Sequence, residues 1–143
     1  MKILTKSARE TQKLAENLAK KPAFVKTTAG KGKAVVLALV GNLGGGKTTF
    51  LQGFAKGLGI KEKINSPTFV IMKRFRNFYH FDCYRIQKAK EILDLGWKDI
   101  INNPKNIVAV EWADRIESLL PKTRILIQFE TVGKNRRRIK IGL

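Results

Sequence analysis

The sequence predicts an α/β fold with three layers, a mostly parallel central sheet and a C-terminal hairpin. Three observations carry this reading. An apolar run rich in β-branched residues, 34–40, passes into a glycine loop and then into apolar residues at helical spacing. A second buried-strand pattern, 106–112, carries an acid near its end. Residues 123–132 and 136–141 alternate apolar and polar positions around Gly133-Lys134-Asn135, as a hairpin requires. With 143 residues, a single domain spanning 1–143 is the natural reading.

In chain order, Ser7-Ala8-Arg9-Glu10 fits a capping box, and Thr11, Leu14, Ala15, Leu18 and Ala19 recur at helical spacing behind it. That helix ends near Lys21-Pro22, and residues 27–33 read as a glycine-rich connection to the first strand of the core. The helix after the glycine loop closes at Gly57-Leu58-Gly59. Pro67 excludes a helix over 65–72, and Arg76-Asn77 turns the chain into a returning strand at 78–82. Short helices fit 91–95 and 97–101, the first stopped by Gly96. After the strand at 106–112, a last short helix over 113–120 ends at Pro121.

The loop Gly41-Asn42-Leu43-Gly44-Gly45-Gly46-Lys47-Thr48 is the Walker A pattern, or P-loop, set between strand and helix as that motif needs. It makes the predicted fold P-loop NTPase-like. Glycines let the backbone approach a phosphate, and successive N–H groups form an anion-binding concavity. The helix N-terminus, which includes Thr49, adds its dipole and unpaired donors. Lys47 would reach the β and γ phosphates, and the Thr48 hydroxyl would ligate Mg²⁺. No Asn-Lys-x-Asp guanine-recognition tetrad is present, which favours ATP.

Such a loop needs an acid for the metal or the attacking water. Glu111 ends an apolar run, as a metal-holding acid does; the alternative is a surface glutamate at a strand end. Asp82 ends the strand at 78–82; the alternative is a cap for the next turn. Spacing alone does not divide the roles between them. Thr68, after a proline, fits a γ-phosphate sensor or an ordinary strand residue. Arg85 reads as a phosphate clamp or a surface charge, and Trp112 as core or interface. A lone His80 in an aromatic strand is more often structural than catalytic.

Composition bounds the function class. One cysteine, Cys83, excludes an internal disulfide and a multi-cysteine zinc site, and one histidine argues against a Ser-His triad. The longest apolar run is far short of a membrane span, and residues 1–6 lack a signal core. A cytoplasmic home is expected. The net charge of +18, from 29 basic against 11 acidic residues, suits contact with a polyanion such as tRNA, or else an ordinary solvated basic surface.

The strings Gly-Asn-Leu-Gly-Gly-Gly-Lys-Thr-Thr-Phe at 41–50, Ser66-Pro67-Thr68-Phe69, His80-Phe81-Asp82-Cys83-Tyr84-Arg85 and Glu111-Trp112-Ala113-Asp114-Arg115 together resemble the TsaE (YjeE) family. The resemblance covers essentially the whole chain. It implies an ATPase of bacterial tRNA threonylcarbamoyladenosine synthesis that works with a TsaB–TsaD pair and resets it between turnovers. It also implies Lys47 on phosphate, Thr48 and Glu111 on Mg²⁺, Asp82 in hydrolysis and Thr68 in a switch-like segment. Trp112 would lie near the nucleotide, Thr11 near the adenine, and one arginine of Arg136-Arg137-Arg138, taken as Arg138, would match an arginine before the last strand. Asn42, Gly45 and Ala113 depart from the family's usual Asp, Ala and Pro, and the loop at 73–77 is short. The rival readings are a small-molecule kinase and an RNA-binding module with structural nucleotide.

Overall fold

The computed structural model describes residues 1–21, 24, 32–42, 46–65 and 71–142. One seven-stranded sheet organises the chain, with strands in the order β1-β7-β6-β2-β5-β4-β3. They are β1 (Lys2–Thr5), β2 (Val35–Gly41), β3 (Met72–Phe75), β4 (Phe78–Asp82), β5 (Ile107–Glu111), β6 (Ile125–Gly133) and β7 (Arg136–Gly142). The central four, β6-β2-β5-β4, run parallel, and the outer strands pair antiparallel. β2 and β5 are buried along most of their length, which is why both read as continuous apolar runs. The C-terminal hairpin is present, with an irregularity between Thr131 and Gly133.

Helices cover both faces. On one face lie α1 (Ala8–Ala19) and α2 (Lys47–Gly57). The Ser7 side chain caps α1 by accepting from the Glu10 N–H at 3.1 Å. α2 buries Phe50, Leu51 and Phe54 against Leu37, Ile127 and Phe129. α1 can lie close on α2 because Gly53 faces the Gln12 backbone; a Cβ there would stand 2.1 Å from the Gln12 carbonyl oxygen. On the other face lie α3 (Lys90–Leu93), α4 (Trp97–Ile101) and a 3₁₀ segment, Ala113–Leu119, kinked at Ile116. They bury Ile92, Trp97, Ala113 and Ile116 over Tyr79, Phe81 and Val110.

β1 was not expected. Only four residues long, it offers little pattern, and it adds an edge by pairing Ile3 with Ile139 of β7. The last short helix is 3₁₀ in character. The extended segment expected around Pro67, and most of the connection at 27–33, lie outside the described residues. Among the described residues no helix is long and apolar enough to cross a membrane.

Candidate functional site

Three parallel strands end side by side. Register aligns Leu39 of β2 and Asp82 of β4 with Glu111 of β5, so the loop after Gly41 leaves the sheet beside both acids. The carboxyl edge of parallel strands is where open α/β sheets take ligands. Gly41 is demanded by space as well as by its φ of +147°: a Cβ would lie 2.6 Å from the Phe129 carbonyl oxygen. Gly46 starts α2 at φ +98°, in the left-handed region that favours glycine.

Lys47 is only 5% exposed. Its ammonium donates to the Gly41 carbonyl at 2.7 Å and the Asn42 carbonyl at 2.9 Å, and lies 4.4 Å from the centroid of the Trp112 ring. Burial pulls its pKa below the ordinary lysine value, against the opposing pull of the Glu111, Asp82 and Asp114 carboxylates. One residue further, the Thr48 hydroxyl donates to Glu111 Oε1 at 3.0 Å. The other carboxylate oxygen, Oε2, is 2.6 Å from His80 Nε2. Glu111 is thus a buried acid with both oxygens engaged, and the surface-glutamate alternative falls away.

Asp82 Oδ1 accepts the Tyr84 N–H at 3.0 Å, so it does cap the turn that follows β4 while standing next to Glu111 in register. Trp112 has φ +56°, a conformation rare for a bulky residue, and its ring lies tilted by 43° against Tyr84 with centroids 5.0 Å apart. The Arg115 guanidinium lies 5.7 Å from the centroids of both rings. Cys83 is buried on the opposite face of the sheet, and desolvation pushes its thiol up to about 12.

Lys47, Thr48, Asp82, Glu111 and Trp112 therefore come together, with Gly41, Asn42, Gly46 and Thr49 on the loop and the first turn of α2. Leu43, Gly44, Gly45 and Thr68 lie outside the described residues. Thr11 is buried, its hydroxyl 2.7 Å from that of Thr5 and 3.3 Å from the Ser7 carbonyl, and Thr5 is the register partner of Arg137. Arg138 points to the other side of the sheet and pairs with Glu130 at 3.1 Å. The arginine beside the loop is Arg137, whose Cγ lies 3.7 Å from the position a Gly46 Cβ would take. Strand alternation held the signal: Arg137 shares its face with the buried Ile139 and Ile141, and Arg138 does not. The His80–Glu111 bond was also missed, because no local pattern links residues on neighbouring strands.

Among the described residues, no group of three or more His, Cys, Asp or Glu is arranged to hold a metal. What the site offers instead is a hydroxyl and a carboxylate 3.0 Å apart. Adjacent ligands on an octahedral Mg²⁺ with bonds of 2.0–2.1 Å sit roughly 2.9 Å apart, so this pair fits one edge of such an ion, with phosphate and water completing it.

Fold and site define a mixed α/β protein whose glycine loop, buried lysine and acids meet at the carboxyl edge of parallel strands. The family model described as threonylcarbamoyl adenosine biosynthesis protein TsaE matches residues 5–139, and the chain belongs to the TsaE family, which acts in tRNA threonylcarbamoyladenosine biosynthesis. The Bacillus subtilis tRNA threonylcarbamoyladenosine biosynthesis protein TsaE is 43% identical over 122 residues, covering 82% of this chain and 75% of its own. The Rickettsia felis protein of the same name is 34% identical over 140 residues, covering 94% of this chain and 75% of its own. The crystal structure of YdiB from Bacillus subtilis superposes with a TM-score of 0.70 at 32% identity, covering 99% of this chain and 83% of that one.

Proposed function

We propose that this chain is a magnesium-dependent ATPase of the P-loop NTPase type, and that its turnover supports tRNA threonylcarbamoyladenosine formation by acting on a TsaB–TsaD complex. The observation that carries the reading is the Thr48–Glu111 pair, 3.0 Å apart and immediately after a buried lysine on a glycine loop. Each group has a part to play. The N–H groups at the start of α2 and the Lys47 ammonium bind phosphate oxygens. Thr48 and Glu111 hold Mg²⁺, which when bound neutralises charge building on the phosphates. Asp82, beside Glu111, orients the attacking water. Trp112 walls the site over Lys47 and helps exclude solvent. Arg137, beside Gly46, adds a cation at the loop.

Turnover by the chain alone is slow in this reading, since a small domain leaves room for a partner to complete the site. An arginine supplied in trans is worth ~10³ or more in rate in other P-loop proteins. The test is ATP turnover with and without the TsaB–TsaD pair, beside multiple-turnover tRNA modification. We expect stimulation by the pair. Glu111→Ala and Asp82→Ala are expected to abolish turnover, while nucleotide still binds. Full-speed hydrolysis that ignores TsaB–TsaD would sink the partner role, and an active Glu111→Ala variant would sink the catalytic assignment.

A further inference from the structure

We propose that His80 is a positioning residue for Glu111: it holds one carboxylate oxygen so that the other faces Thr48 and the cation. The inference rests on the magnesium-nucleotide reading and adds to it a residue that reading does not use. His80 is fully buried on β4, on the face it shares with the buried Phe78. A polar ring in such a place costs free energy unless it is hydrogen-bonded. Its Nε2 is 2.6 Å from Glu111 Oε2, and Glu111 is itself only 3% exposed.

The bond fixes the tautomer. An ionised carboxylate only accepts, so the ring hydrogen sits on Nε2. Among the described residues, buried His80 Nδ1 has no hydrogen-bond partner, and a hydrogen there would be an unpaired buried donor. Among the described residues the ring's one side-chain bond goes to the carboxylate. Geometry on β5 lets this happen. The register partner of His80 is Ala109, two residues before Glu111 on the same face, and its small side chain leaves room for the imidazole to reach forward.

Glu111 is consequently split between two tasks: Oε2 is committed to His80, and Oε1 faces Thr48. Rotation of the carboxylate away from Thr48 would break both bonds. Outer partners of metal-binding side chains characteristically act this way, and losing one typically costs about 10–100-fold in metal affinity or activity.

The experiment compares the parent protein with His80→Leu, which fills space without donating, and His80→Gln, whose amide restores a donor. Three quantities are read: the thermal midpoint, nucleotide affinity without metal, and the Mg²⁺ concentration giving half-maximal ATP turnover. We expect His80→Leu to raise the half-maximal Mg²⁺ roughly 10–100-fold while metal-free nucleotide affinity stays put, and His80→Gln to recover most of the loss. A His80→Leu variant with the parent's Mg²⁺ requirement overturns the inference, whatever its thermal midpoint, and leaves the ATPase reading standing. A parent protein with no Mg²⁺ dependence overturns both. Should His80→Leu fail to fold, the parent decides alone, because its imidazole nitrogen NMR spectrum comes from one histidine. An Nε2-protonated ring whose resonance shifts when Mg²⁺ joins the bound nucleotide supports the role. An Nδ1-protonated ring, or one indifferent to Mg²⁺, refutes it.

Discussion

Lys47 carries a conflict between folding and binding. Burial disfavours its charged form, so its pKa lies below 10.5 in the free protein, while a bound phosphate favours the charged form. The sign follows for nucleotide affinity. It is full where free Lys47 is protonated and falls as pH rises through the depressed pKa, so the decline begins below 10.5. Tryptophan fluorescence titrations of nucleotide across the alkaline range check this; an affinity that holds level up to 10.5 contradicts it. Without nucleotide, the unfolded chain binds the extra proton between the two pKa values, so Lys47 makes stability rise with pH in that window. Lys47→Met should remove that rise, leave the free protein no less stable at neutral pH, and abolish phosphate binding. Cys83 makes the opposite kind of case. Fully buried, with its thiol raised to about 12, it should resist thiol reagents in the native protein and react only on unfolding. Rapid labelling under native conditions would show that the segment after β4 opens. These residues also mark how far a sequence reaches. Lys47, Thr48 and Glu111 announced themselves through local context, a loop pattern and an apolar run. Arg137, not Arg138, stands beside the loop, because a motif position does not carry orientation unless strand phase is read with it.

At the scale of elements, the contact between α1 and α2 is decided by glycines rather than by large apolar residues. A methyl at Gly53 would stand 2.1 Å from the Gln12 carbonyl oxygen, and one at Gly57 2.5 Å from that of Glu16. Replacing a mid-helix glycine by alanine ordinarily stabilises by about 1 kcal/mol. Overpacking a tight contact costs about 1–3 kcal/mol. The clash wins here, because backbone on both sides leaves nothing flexible to yield. Gly53→Ala should therefore lower the urea midpoint with the slope of the transition preserved, and a raised midpoint would show that α1 shifts freely on α2. Since α2 carries Lys47 and Thr48 in its first turn, a displaced α2 should weaken nucleotide binding too. Periodicity made both helices and the buried strands β2 and β5 legible, along with the hairpin. β1 was not legible: its four residues bury little, and its pairing partner is the far end of the chain. Local pattern cannot report a contact closed across that distance.

For the whole molecule the dominant quantity is the net charge of +18, which no pairing in the fold neutralises overall. Self-repulsion of that size opposes compaction, and salt screens it within about 10 Å at 0.1 M. One face concentrates the problem. Arg138 and Lys140 of β7 and Lys2 of β1 project from the same exposed side of the hairpin edge, and Lys2 and Lys140 are direct cross-strand partners. Like charges directly opposite each other are destabilising, by a margin of about 0.2–1 kcal/mol. A surface kept at such a cost suits a polyanion or is an ordinary solvated surface, and tRNA binding tests which. The two effects respond to salt with opposite signs. Raising ionic strength should increase the thermal midpoint of the free protein by relieving repulsion, and should weaken tRNA binding by removing the gain from counterion release. Lys140→Glu places an acid opposite Lys2 and should reproduce both changes at constant salt: a more stable protein with lower affinity for tRNA. If stability rises while tRNA affinity is unmoved, the charge on this face is solvated surface.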